Sequence, residues 1–214
     1  MAYARYSLHL IYPLDMTFRT LLFCTACLIL TACGSGTEES DTPAQSEQLA
    51  DAPLPFDDIA AALDAQRPAG EIAGMLLRDY AKVSNDRTGM VDPAAGSQYI
   101  ELADRLATEA KGDTVAALPL YKAAEVHQAL GNFRGAIDIF ERVYREYPNF
   151  SKAGEALFML GFTYDENLRE YDKAREAYTT FLEKYPNNTF ADDTEMLLSN
   201  LGKSDEEMLK SLQQ

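Results

Sequence analysis

Arg145-Glu146-Tyr147-Pro148-Asn149 returns further along the chain as Glu183-Lys184-Tyr185-Pro186-Asn187, and the residues upstream return with it at the same offset. Ala136, Phe140, Val143 and Tyr147 map onto Ala174, Tyr178, Phe181 and Tyr185. Steps of four, three and four put each set on one helical face, so each stretch predicts an amphipathic helix. The proline that follows ends it, because its ring crowds the residue before it out of the helical region. A degenerate copy precedes the middle one, in Ala95, Tyr99, Leu102 and Leu106, with Ala107 where the others have proline.

A partner helix precedes each of these. Tyr121, Ala124 and Gln128 lie along one line of the segment from Leu118 to Leu130, which Gly131-Asn132 stops; Leu157, Leu160, Gly161 and Tyr164 mark the next, and Ile72, Leu76 and Tyr80 the first. The pattern is helix, turn, helix, three times over. It resembles the tetratricopeptide family, whose repeat carries large, Leu, Gly and Tyr positions on its first helix and Ala, aromatic and Pro on its second. In the middle copy Gly131, Phe133, Ala136, Phe140 and Pro148 carry the resemblance. In the last copy Leu157, Leu160, Gly161, Tyr164, Tyr171, Ala174, Tyr178 and Pro186 carry it, with one residue inserted in the turn between Asp165 and Arg169. The expected fold is all-α, a tetratricopeptide-type solenoid of helical hairpins with about three repeats and C-terminal capping helices. The degenerate repeat spans 57–110, two full repeats 116–187, and the capping helices 190–214. Within that cap, Ala191 to Leu201 reads as a helix closed by Gly202, and Ser204 with Glu207 has capping-box spacing that starts a short last helix to Leu212.

The other end of the chain has a different character. Residues 21–30 are apolar and uncharged, Arg19 precedes them, and Thr31-Ala32-Cys33-Gly34 follows. That is the h-region of a signal peptide over 1–32, shorter than the ~20 apolar residues a membrane span needs. Leu30-Thr31-Ala32-Cys33 resembles the lipobox of bacterial lipoproteins, and that resemblance implies acylation of Cys33 and cleavage just before it. Cys24 and Cys27 would leave with the signal. Residues 33–56 are rich in Gly, Ser, Pro and acid and poor in apolar side chains, which predicts an acidic flexible linker. Gly34 directly after the cysteine implies, by the same resemblance, the outer membrane of a Gram-negative bacterium; the expected orientation is the periplasmic face, while Glu38, Glu39 and Asp41 close behind the lipid also resemble the acidic surface-export signals of Bacteroidetes lipoproteins.

Removing residues 1–32 takes Arg5, Arg19 and Asp15 from totals of 19 basic and 34 acidic side chains, leaving 17 and 33. Such acidity argues against nucleic acid, because phosphate contacts need clustered cations. All three cysteines lie at or before Cys33, so the body has no thiol for a disulfide or a thiolate metal site. There is no phosphate-binding Gly-Lys-Ser/Thr loop, no spaced Cys/His set and no Gly-x-Ser-x-Gly elbow. His127 falls where the family carries the Tyr of its first helix and reads as a packed histidine. The expectation is a protein with no catalytic residues, no metal and no cofactor.

Family register places Tyr121, Glu125 and Gln128 of the middle repeat, and Phe158, Phe162 and Asp165 of the last, on the concave, partner-facing side. The two phenylalanines one turn apart suggest an apolar anchor with an acidic rim; they equally suit packing against the neighbouring repeat. The linked series Tyr147-Pro148-Asn149, Ala153, Ala156, Leu160-Gly161, Tyr185-Pro186-Asn187 and Ala191-Asp192-Asp193 resembles envelope lipoproteins of this repeat class. Among these are one that supports the outer-membrane barrel-assembly machine and a periplasmic factor associated with the Tol system. The resemblance implies a non-catalytic adaptor for envelope proteins or peptides, held to the membrane by its lipid. An envelope enzyme or sugar-binding lipoprotein is the competing reading.

Overall fold

The computed structural model describes residues 55–85, 87–204 and 207. Signal peptide, Cys33, the linker as far as residue 54 and nearly all of the segment after Ser204 therefore lie outside the described residues. Among the described residues eight α-helices follow one another: α1 (Asp57–Asp64), α2 (Ala69–Arg78), α3 (Pro93–Glu109), α4 (Ala117–Ala129), α5 (Phe133–Glu146), α6 (Ala153–Phe162), α7 (Tyr171–Lys184) and α8 (Ala191–Asn200). From α3 onward each helix packs chiefly on the next, which is the order of a stacked hairpin array.

The turns are built by local chemistry. Gly131, at φ 72°, supplies the left-handed residue that closes α4. Asn132 then caps α5 by accepting a hydrogen bond from the Gly135 amide at 3.0 Å. After α5 and α7 the chain leaves at Tyr147-Pro148 and Tyr185-Pro186, as the repeated motif predicts. Asn188 accepts from the Phe190 amide at 3.0 Å and turns the chain into α8. The residue inserted in the last repeat is taken up as a π-helical turn, Thr163–Asn167, in which the Leu168 amide donates to the Thr163 carbonyl at 3.2 Å.

Ala136, Phe140, Val143 and Tyr147 are buried, as are Ala174, Tyr178 and Phe181 in the second set, while Tyr185 is half-buried. Rings interlock across the helix pairs: Tyr121 meets Phe140 edge to face at 5.6 Å, and Phe158 lies 6.2 Å from Tyr178. Small residues permit the close approach. A β-carbon on Gly161 would sit 2.7 Å from the Tyr178 ring.

Two expectations about the N-terminal end need correction. The N-terminal region is not one hairpin: α1 precedes α2, and Tyr80 stands outside α2 in a short 3-10 helix, Tyr80–Val83. The segment from Asp79 to Asp92 then replaces the tight turn of the later repeats, with an isolated bridge between Ser84 and Val91. Secondly, Phe56 belongs to the helical core and not to the linker. Its ring is fully buried 5.7 Å from Tyr99, and its amide donates to Gln98 at 3.1 Å. At the other end Met196 of α8 is 58% exposed. Beyond α8, Gly202 adopts φ 76° and the Ser204–Glu207 capping box is formed, with Glu207 accepting from the Ser204 amide at 2.8 Å.

Candidate functional site

The six residues expected on the concave strip stand on α4, on α6 and in the turn after it, and hydrogen bonds join the two helices. Tyr121 donates its hydroxyl proton to Glu155 at 2.9 Å, and Gln128 donates from Nε2 to Thr163 at 2.8 Å, so two cross-links tie the lanes together. Glu125 accepts from Lys122 at 2.6 Å, and Glu155 accepts from Lys152 at 2.5 Å. Each of these lysines also lies over a tyrosine of the preceding layer, Lys122 over Tyr80 and Lys152 over Tyr121, both 5.1 Å from the ring centroid. The motif is a ladder of Glu, Lys and Tyr repeated at successive layers. Burial, aided by Glu125, pushes the Tyr80 hydroxyl up to about 12, so it stays protonated and able to donate.

Not every expected groove residue is accessible. Tyr121 is only 2% exposed and presents little beyond its hydroxyl. Phe158 is 8% exposed, because Phe190, arriving just before α8, stacks on it at 4.7 Å and 16°. Asp165 is 9% exposed, and Tyr178 is placed to donate to it at 3.4 Å. Its burial raises the carboxyl pKa, an effect the neighbouring Glu166 adds to. The picture of two exposed phenylalanines with a free acidic rim is therefore corrected. Of the pair, Phe162 alone reaches the half-exposed surface, stacked 6.1 Å from Phe158, and Glu125 is neutralised by Lys122. Glu125 and Gln128 remain half-exposed on α4.

The sequence profile of the tetratricopeptide repeat matches residues 120–149 and 155–188. The chain contains tetratricopeptide repeats. Their boundaries coincide with the hairpins α4–α5 and α6–α7, and the matched stretches contain the strip residues on α4 and α6 together with Asp165 in the π-helical turn. No curated protein matches the chain.

Tetratricopeptide repeats are a protein-binding architecture, and the strip has the parts for it: an accessible ring, paired charges and hydrogen-bonding groups held by rigid helices. Sequence reasoning missed Glu155, Thr163, Lys122 and Lys152. The signal was present in the i,i+3 spacing of Lys122 with Glu125 and of Lys152 with Glu155, which predicts pairing on one helical face. His127 is half-buried, as its packed reading requires; its Nδ1 has no hydrogen-bond partner among the described residues, and burial lowers its pKa. Among the described residues no group of three or more His, Cys, Asp and Glu side chains is placed to hold a metal ion, and no helix is long and apolar enough to cross a membrane.

Proposed function

We propose that the chain is a lipid-anchored, non-catalytic adaptor of a bacterial envelope, which uses its repeat array to recruit envelope proteins. The observation that carries this reading is the strip itself. Half-exposed Phe162 ends a stack with Phe158 and Phe190, and Gln128 of α4 bonds the next residue, Thr163, on the lane that tetratricopeptide repeats turn toward partners. Leu30-Thr31-Ala32-Cys33 at the end of an apolar run supports the anchor, and Gly34 supports an outer-membrane destination. Two or three acyl chains on Cys33, at about 0.8 kcal/mol per buried methylene, would make release negligible. The Tyr-Pro-Asn-linked resemblance to barrel-assembly and Tol-associated proteins points to outer-membrane protein assembly as the pathway served.

The test has two arms. Mass spectrometry of the processed N-terminus should find acylated Cys33 in the parent and an uncut precursor in Cys33→Ser; a soluble, unlipidated product starting elsewhere would reject the anchor. Crosslinking in detergent-solubilised membranes should capture envelope proteins, with Phe162→Ala weakening capture about tenfold or more while the helical signal persists. Unchanged capture in that variant would reject the strip as the recruiting surface.

A further inference from the structure

A second surface lies on the other side of α6. Leu157, Leu160 and Tyr164 face away from the lane of Phe158, Phe162 and Asp165, since each residue turns the helix by about 100°. They floor a cleft of about 350 Å³ between α5 and α7. Tyr144 and Arg145 line this cleft and also the hollow next to it, where Pro148, Lys184 and Tyr185 complete the wall. The two form one furrow along the second helices of the repeats.

Its charge differs from that of the molecule. The chain has 19 cations against 34 acids, but the furrow is lined by Arg145, Lys173 and Lys184 against Glu141 and Glu176. At the Pro148 end there are two cations, two tyrosines and no acid. Lys184 donates to the Tyr144 hydroxyl and lies 4.8 Å from that ring's centroid, and among the described residues no carboxylate is within ion-pair range of it. Arg145 touches Glu141 at 2.7 Å yet keeps its side chain 70% exposed, so its guanidinium retains free donors. Lys173, by contrast, is engaged by Glu170 at 2.8 Å and lies over Tyr164.

We propose that this furrow is a docking site for a linear protein segment that pairs a large apolar side chain with a nearby carboxylate. The apolar side chain enters against half-buried Tyr164, over the buried floor that Leu157 and Leu160 make, and the carboxylate reaches Arg145 and Lys184 beside Tyr144. Local charge selects an acidic segment, although the chain as a whole is acidic. The proposal rests on the adaptor reading for the class of partner, and it gives the array a second recruiting face independent of Phe162.

A phage-displayed library of random heptapeptides, panned against the immobilised full-length chain, tests it. Enriched sequences should join Asp or Glu to Leu, Phe or Tyr, and the exposed double change Arg145→Glu with Lys184→Glu should lower their capture about tenfold or more at an unchanged melting temperature. Enrichment of basic sequences, no enrichment, or capture indifferent to the double change would overturn the proposal. So would binding of phosphatidylglycerol vesicles through the same two cations with no peptide selected, which would make the furrow a membrane-facing surface. If Phe162→Ala abolishes capture and the charge reversal does not, the furrow proposal fails while the adaptor reading stands.

Discussion

The hairpins α4–α5 and α6–α7 and the region from α1 to α3 use the same buried series in different frames. Ala95, Tyr99, Leu102 and Leu106 are as buried as Ala136, Phe140, Val143 and Tyr147. In the later hairpins the helices meet through tight turns and small residues, so that rings and glycines touch. In the earlier region the whole segment from Asp79 to Asp92 separates α2 from α3, and Gly74 in the middle of α2 has nothing within 4 Å of where its β-carbon would stand. A shared hydrophobic period thus preserves which face is buried, while the connection and the small residues decide how closely the partner helix comes.

The largest effects should come from the rings that fill the later hairpins. Phe140→Ala and Tyr178→Ala each remove a fully buried ring and should cost about 3 to 5 kcal/mol, read from denaturant melts of the domain. A loss under about 1 kcal/mol at both would break the comparison, since those layers would then be no tighter than the N-terminal ones. Next in size is Gly161→Ala. Its new methyl would press on the Tyr178 ring, which α7 holds in place, at a cost of about 1 to 3 kcal/mol. The same change at Gly74 should go the other way, raising stability by about 0.5 to 1 kcal/mol, because the helix gains an Ala with free space around it. Equal signs at the two glycines would erase the difference between the regions.

The smallest and most selective effect separates the regions along the pH axis. Burial lowers the His127 pKa below its ordinary 6.5, so the unfolded chain binds the proton more readily and the α4–α5 hairpin loses stability as pH falls below 6.5. At the end of α2, Asp79 is lowered from 3.8 to about 2, first by its hydrogen bond to Arg78 and further by Lys82, and its contribution is lost only as pH falls through that window. Asp165 runs opposite: its raised carboxyl pKa means that acid relieves a burial penalty. Melting His127→Gln and the parent between pH 7 and 5 should show a flatter curve in the variant. Parallel curves would mean that His127 is as solvated in the fold as in the unfolded chain.

Much of this architecture was legible beforehand. Repetition of Tyr-Pro-Asn, with matching apolar steps upstream of each copy, located α5 and α7 and the sites where they stop. The extra residue near Asp165 was visible too, but spacing alone does not say that it becomes a π-helical turn, which depends on the amide of Leu168 reaching the carbonyl of Thr163. The strip was legible by register and misjudged in exposure. Helical period reports direction around one helix; coverage of Phe158 depends on Phe190, which lies beyond the whole of α7 in sequence and stacks on it only in the fold.

Sequence by itself determined the all-α class, the repeat period, the buried face of each later helix and the acidic balance, because each follows from local periodicity, turn chemistry or composition. Tertiary structure alone decided which of those side chains a partner can reach. Phe162 stays open and Phe158 is closed, Glu125 is neutralised by Lys122, and Arg145 and Lys184 gather beside Tyr144 on an acidic chain. Accessibility and pairing are set by neighbours from other helices, whose approach depends on the packing of whole layers and not on the pattern within one.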